Sequence, residues 1–309
     1  MIEAIGLSKR YGATLAVDDL SFTVPPGQVT GFLGPNGSGK STTMRLILGL
    51  DKPTAGSVTV NGRPYAAYRR PLFEVGALLD AKAMHPGRSA YDHLLCLALS
   101  NGIGRDRVDQ LLGVVGLRRV ADKRVGGFSL GMRQRLGIAA ALLGEPRVVM
   151  FDEPVTGLDP EGVLWLRTLL KSLAAEGRTV FLASHLMSEM AITADRLIII
   201  GRGRLIAQAT VEDFLRRGSG SFVRVRSPQA DALEQLLTAR GIAVTRQDDG
   251  ALRVTGTTSD AVGELARANG LTLLELSAHQ ASLEQAYMEL TKDAVDYHAV
   301  EDALVRSPH

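Results

Sequence analysis

The ten residues GPNGSGKSTT, Gly34–Thr43, follow directly on the apolar run VTGFL, Val29–Leu33. They fit the pattern G-x-x-x-x-G-K-[ST] at Gly34, Gly39, Lys40 and Ser41. A strand that enters such a loop turns backbone N–H groups inward around phosphate oxygens. The helix that leaves it adds the positive end of its dipole. The expected phosphate-holding residues are therefore Gly34, Asn36, Gly37, Gly39, Lys40, Ser41 and Thr42. Lys40 is placed to bridge the β- and γ-phosphates, and the Ser41 hydroxyl to ligate Mg²⁺. The loop alone does not say which nucleotide is held.

A second apolar strand, RVVMFDEP (Arg147–Pro154), ends in two carboxylates. Asp152 is expected in the metal shell, the usual place of an acid at the tip of a neighbouring strand. Glu153, one residue further on, is expected to polarise the attacking water as a general base. Around these stretches, strands alternate with helices. TTMRLILGL, EGVLWLRTLLKSLAAEG and LMSEMAITA read as helices, and TVFLASH and RLIIIGRGRLIAQA as strands. That alternation predicts an α/β fold with a parallel, doubly wound sheet. Residues 81–145 change character and read as an inserted helical subdomain.

Composition sets the bounds. The 309 residues suit one large domain and a small one, and a formal net charge of +2 gives no basic footprint for nucleic acid. The single cysteine, Cys96, excludes an internal disulfide and, in its apolar helix, reads as a packing residue. Glu3 interrupts the start of the chain, so no signal peptide is read there. No apolar run is long enough to span a bilayer, and the expectation is a soluble chain that meets a membrane only through a partner.

Near Gly218 the pattern breaks at RRGSGS, read as a linker. The expected domains are 1–217 and 221–293, with a loose polar tail over 294–309. The order β-α-β-β-α-β after the linker predicts a small ferredoxin-like α+β domain. Leu283, Ala286, Tyr287 and Leu290 are spaced for one apolar face of a closing helix. No polar cluster there suggests a site, which favours a structural or dimerising role over effector binding.

With these residues in place, residues 1–215 resemble the nucleotide-binding subunit of an ATP-binding cassette (ABC) transporter. FSLGM, Phe128–Met132, resembles the family's LSGGQ signature, with Ser129 and Gly131 matching. VTGLDP resembles its D-loop, with Asp159 at the subunit boundary, and Ser184–His185 its switch histidine. Tyr11 matches the aromatic residue that stacks on adenine. The resemblance implies a phosphate-loop NTPase of ABC type and selects ATP over GTP. It also implies two copies packed head to tail, each ATP lying between Lys40 of one and Ser129, Gly131 and Asp159 of the other. Ser129 is a natural N-cap for the helix that follows, so its hydroxyl and the first helical amides would face that phosphate. His185 is expected to touch the γ-phosphate.

Two departures stand out. Leu130 and Met132 replace a glycine and the glutamine of the signature, which implies altered rather than lost activity. Asp80, in VGALLDAKAMHP, stands where the family usually has a glutamine, and is expected to join the metal shell, directly or through water. An acid there, the SLGM signature and the C-terminal domain ending in LEQAYMELT resemble bacterial export-type subunits of drug, peptide-antibiotic or lantibiotic resistance. That branch implies a separate transmembrane partner and a place at the cytoplasmic face of the membrane. The alternatives are a soluble ABC-type ATPase of translation or DNA repair, and a phosphate-loop kinase outside the family. A single phosphate loop, the lack of a heptad run and the FSLGMRQR stretch weigh against them.

Overall fold

The structure, a computed structural model, describes residues 1–217, 222–279 and 282–291. The chain divides into two compact units, Met1–Thr210 and Val211–Asp293. The first opens with the long strands β1 (Ile2–Tyr11) and β2 (Thr14–Val24), followed by β3 (Val29–Leu33), α1 (Lys40–Ile47) and β4 (Ala55–Val60). β1, β2 and β4 form a three-stranded antiparallel sheet in the order β2-β1-β4.

A short strand β5 (Val75–Leu78) leads into the helical stretch, made of α2 (Ala90–Ser100), α3 (Arg105–Val114) and α4 (Leu130–Ala141). The chain then returns through β6 (Val148–Asp152), α5 (Pro160–Ala175), β7 (Thr179–Ser184), α6 (Met187–Thr193), β8 (Arg196–Gly201) and β9 (Arg204–Thr210). The second sheet has the order β5-β6-β7-β3-β8-β9, parallel throughout except for the edge strand β9. Every residue of β3 and β7 is buried, as expected of parallel strands covered on both faces. Phe22 of β2, Phe32 of β3 and Phe181 of β7 join the two sheets, with ring centroids 5.0–6.0 Å apart. Met44, Leu46 and Ile47 of α1 enter the same core, so the helix behind the phosphate loop is anchored along its buried side. Burial of this kind stabilises by roughly 1.5–3 kcal/mol per large apolar side chain.

Cys96 corrects its sequence reading. Helix α2 buries Ala90, Leu94 and Ala98, spaced i, i+4, i+8, which turns Cys96 to the exposed side.

The second unit begins earlier than the expected boundary after residue 217. Helix α7 (Val211–Arg217) belongs to it, with Val211 and Phe214 buried, and packs against α10 (Leu283–Thr291). Between them run β10 (Phe222–Arg226), α8 (Ala230–Thr238), β11 (Ala243–Arg246), β12 (Leu252–Thr255), α9 (Ser259–Ala268) and β13 (Glu275–His279). The four strands are antiparallel in the order β11-β12-β10-β13, a ferredoxin-like arrangement. Leu233, Leu237, Val262 and Ala266 of the two helices cover one sheet face. In α10, Leu283, Ala286 and Tyr287 are buried, whereas the side chain of Leu290 lies outside the described residues. The linker core at Gly218 and the tail over 294–309 also lie outside them.

Candidate functional site

The parallel sheet brings three chain segments to one edge. Leu33 pairs with Ser184, and Asp152 with Ala183, so the loops after β3, β6 and β7 all leave the sheet at its carboxyl end. There they surround a cavity of about 380 Å³ lined by Ala16, Asn36, Gly37, Gly39, Lys40, Ser41, Thr42, Leu79, Asp152 and Glu153. Eight of the expected site residues therefore meet in one place, Asp152 and Glu153 with six residues of the loop.

The loop is built for a phosphate chain. Gly39, the N-cap of α1, has φ 102° and brings no side-chain acceptor to the first helical amides. A Cβ at Gly39 would lie 2.5 Å from the Ala16 carbonyl, so only glycine closes this turn. The Ser38 hydroxyl is buried and has no hydrogen-bond partner. Lys40 is 7 % exposed, and its Nζ donates to the carbonyls of Gly34 at 2.6 Å and Pro35 at 3.2 Å. Burial pushes the Lys40 ammonium below its ordinary pKa, against the pull of Glu153 and Asp152. Uncapped amides, an unpartnered hydroxyl and a desolvated cation suit a polyanion.

Beside them the Ser41 hydroxyl donates to Asp152 Oδ2 at 2.7 Å. Burial is the main force that raises the Asp152 pKa; Glu153 adds to it, while the Ser41 hydrogen bond and Lys40 oppose it. A hydroxyl and a desolvated carboxylate side by side are hard oxygen donors, and they fit a magnesium ion. Asp80 is not part of this pair. It sits exposed after β5, outside the cavity lining, and its Oδ1 accepts the Lys82 amide at 2.7 Å.

Glu153 is held from several sides. Its backbone takes the left-handed conformation, φ 49°, rare for a side-chain-bearing residue. Its amide donates to Ala183 O at 2.9 Å, and the Gln134 amide donates to its carbonyl at 2.9 Å. Its carboxylate meets His185 Nδ1 at 2.8 Å through Oε1 and accepts from the Ser184 hydroxyl at 3.3 Å through Oε2. His185 is thus at Glu153, as the end of β7 dictates. Gln134 was not singled out in the sequence. Its signal is a polar residue on the buried face of α4, between Gly131 and Ile138.

The remaining expected residues lie elsewhere on the chain. Ser129 caps α4, and its Oγ accepts the Met132 amide at 3.2 Å, so its acceptor serves its own helix. Gly131 packs where a Cβ would fall 2.5 Å from the Gly157 carbonyl. Asp159 caps α5, accepting the Gly162 amide at 2.8 Å. Ser129 and Asp159 are exposed and Gly131 is buried, and none of the three lines the Lys40 cavity. Tyr11 also stands outside that lining. It is 45 % exposed at the end of β1, with its hydroxyl on Asp51 Oδ2 at 2.8 Å and Lys9 Nζ 4.8 Å from its ring.

The chain is similar to known proteins over most of its length. The ABC transporter family matches residues 17–156, a domain of unknown function matches 221–284, and an AAA domain matches 123–191. A bacitracin transport ATP-binding protein, BcrA of Bacillus licheniformis, is 35% identical over 298 residues, covering 94% of this chain and 97% of that protein. A lantibiotic transport ATP-binding protein, SrtF of Streptococcus pyogenes, is 36% identical over 67% of this chain and 90% of its own length. The dimeric structure of MJ0796, a bacterial ABC transporter cassette, superposes with a TM-score of 0.64 at 25% identity, over 68% of this chain and 99% of the other. The same cassette is known as a dimer in a post-hydrolysis state bound to ADP and Pi.

Proposed function

We propose, on the premise that this chain belongs to the ABC transporter family and is one of its ATP-hydrolysing subunits, that it powers export of a small molecule or peptide, a drug or antibiotic, through a separate transmembrane partner. The observation that carries this reading is the reach of the similarity to the bacitracin transport protein, which at 94% of the chain runs well beyond the ATPase unit. The chain would act at the cytoplasmic face of the membrane. Among the described residues no helix is long and apolar enough to cross a bilayer, so a passage for cargo would have to come from another chain.

In this reading ATP lies in the Lys40 cavity of one copy, with the Tyr11 ring stacking on its adenine. A second copy closes over it head to tail with Ser129, Gly131 and Asp159. The separation of these residues from the cavity within one chain supports that arrangement, because they need a partner's phosphate to serve. Ser41 and Asp152 would hold magnesium, which neutralises charge on the phosphates when bound. Glu153 takes a proton from the attacking water as the water oxygen bonds to the γ-phosphorus. The bond from that phosphorus to the bridging oxygen breaks, and ADP carries the electron pair away. His185 and Ser184 hold the Glu153 carboxylate in the orientation that accepts this proton. Loss of the γ-phosphate removes contacts to both copies and reopens the dimer.

The test is a gentle pull-down of tagged Glu153→Gln chain from membranes of its own source, with mass spectrometry of what accompanies it. A polytopic membrane protein in stoichiometric amount is the expected result. Ribosomes, DNA or no partner would withdraw the export reading in favour of a soluble ATPase.

A further inference from the structure

The catalytic carboxylate hangs from a strained peptide. Glu153 has φ 49°, and it follows directly on the last residue of β6. Such a conformation persists only where the surroundings impose it. Three hydrogen bonds do so here. The Glu153 amide is tied to Ala183 at 2.9 Å, and its carbonyl accepts from the Thr156 amide at 3.2 Å and from Gln134 Nε2 at 2.9 Å. Two of these come from the backbone that flanks the site. The third is a side chain, and it comes from α4.

Gln134 is 3 % exposed, so its amide makes this bond largely shielded from bulk water, where such a bond is strengthened. Its helix begins at Ser129, one turn and a half away, on an exposed N-cap. Gln134 does not line the cavity, and it meets Glu153 at the carbonyl, not at the carboxylate. We propose that Gln134 is a positioning residue: it fixes the peptide of Glu153, and so the aim of the general base, from the helix whose exposed end meets the second copy. The inference rests on Glu153 acting as the base. It gives α4 a task in the nucleotide site of its own chain, besides the one its N-terminus performs for the partner's.

The experiment is a double-mutant cycle on the full chain, comparing Gln134→Met, Glu153→Ala and the pair for ATP hydrolysis, with ATP affinity measured separately by fluorescence titration. Methionine keeps the length of glutamine and removes the donor. Alone, Gln134→Met is expected to lower kcat by about 10–10²-fold with ATP affinity within about twofold, the cost of a misplaced base. In the Glu153→Ala background it should change the residual rate by less than about twofold, because there is no carboxylate left to aim. Equal losses in both backgrounds, or a wild-type kcat for Gln134→Met, would overturn the proposal. Glu153→Ala hydrolysing at the wild-type rate would instead remove the base itself, and this inference with it. Should thermal scans show Gln134→Met unfolded, Gln134→Leu, close in size, uncharged and also without a donor, carries the same cycle and the same criteria.

Discussion

His185 Nδ1 lies 2.8 Å from Glu153 Oε1 within one chain. Glu153, the proposed base, and His185 are thus brought together by the sheet itself, just after the ends of β6 and β7. Glu153→Gln is expected to lower kcat by about 10²–10⁴-fold while leaving ATP binding intact. The variant should accumulate as an ATP-bound dimer, read by light scattering on a sizing column. A variant that stays monomeric in ATP would count against the head-to-tail scheme.

His185→Ala removes the group that orients the base but not the base. Its loss in kcat is expected to be about 10²-fold at most, smaller than that of Glu153→Gln. Steady-state hydrolysis of the two variants side by side decides the order.

Asp152 makes a prediction about stability. Burial holds its folded pKa above the usual carboxylate value of 3.8, so the folded state binds its proton more tightly than the unfolded state does. Its contribution is full below that value and is lost as pH rises through the folded pKa. The nucleotide-free protein should therefore lose stability over the acid range above pH 3.8, and Asp152→Asn should flatten that slope. At neutral pH the variant is expected to unfold ~2–4 °C higher than the wild type without ligand. Magnesium and ATP should raise Tm in the wild type and much less in the variant. Thermal unfolding across pH measures both.

Gly131 and Asp159 test the surface assigned to the partner's nucleotide. Gly131→Ala places a methyl group 2.5 Å from the Gly157 carbonyl and is expected to cost about 1–3 kcal/mol. Asp159→Ala loses the N-cap of α5 and is expected to cost about 1 kcal/mol. Urea unfolding gives both values. Neither change should weaken ATP binding to the isolated chain, since neither residue lines the cavity.

Asp80→Ala is expected to leave the magnesium dependence of hydrolysis unaltered, because its carboxylate closes a local turn on Lys82. A magnesium titration of the ATPase rate checks this.

The sequence made the cavity legible because its parts are local. A loop between strand and helix, two acids at a strand tip and a histidine after the next strand each carry their position in the chain. Asp80 was read from its aligned position alone, which does not show that its carboxylate accepts the Lys82 amide. Gln134 escaped because its partner is a backbone carbonyl 19 residues away, and carbonyls leave no mark in a sequence. The domain boundary was placed late because α7 is short and charged. Its buried pair, Val211 and Phe214, covers too few turns to announce a helix by period.

Helix α4 carries Gln134 and Arg135 side by side. Gln134 reaches the Glu153 carbonyl, while Arg135 reaches Asp159 at 3.9 Å, the Val115 carbonyl at 3.4 Å and the Trp165 ring at 4.8 Å. Both grips depend on the angular phase of the helix counted from its cap at Ser129. Substitution at Leu130 or Met132 leaves that phase alone. Inserting or deleting a single residue there would swing both side chains by about 100° around the axis and unhook them together. The stretch is therefore unforgiving in count.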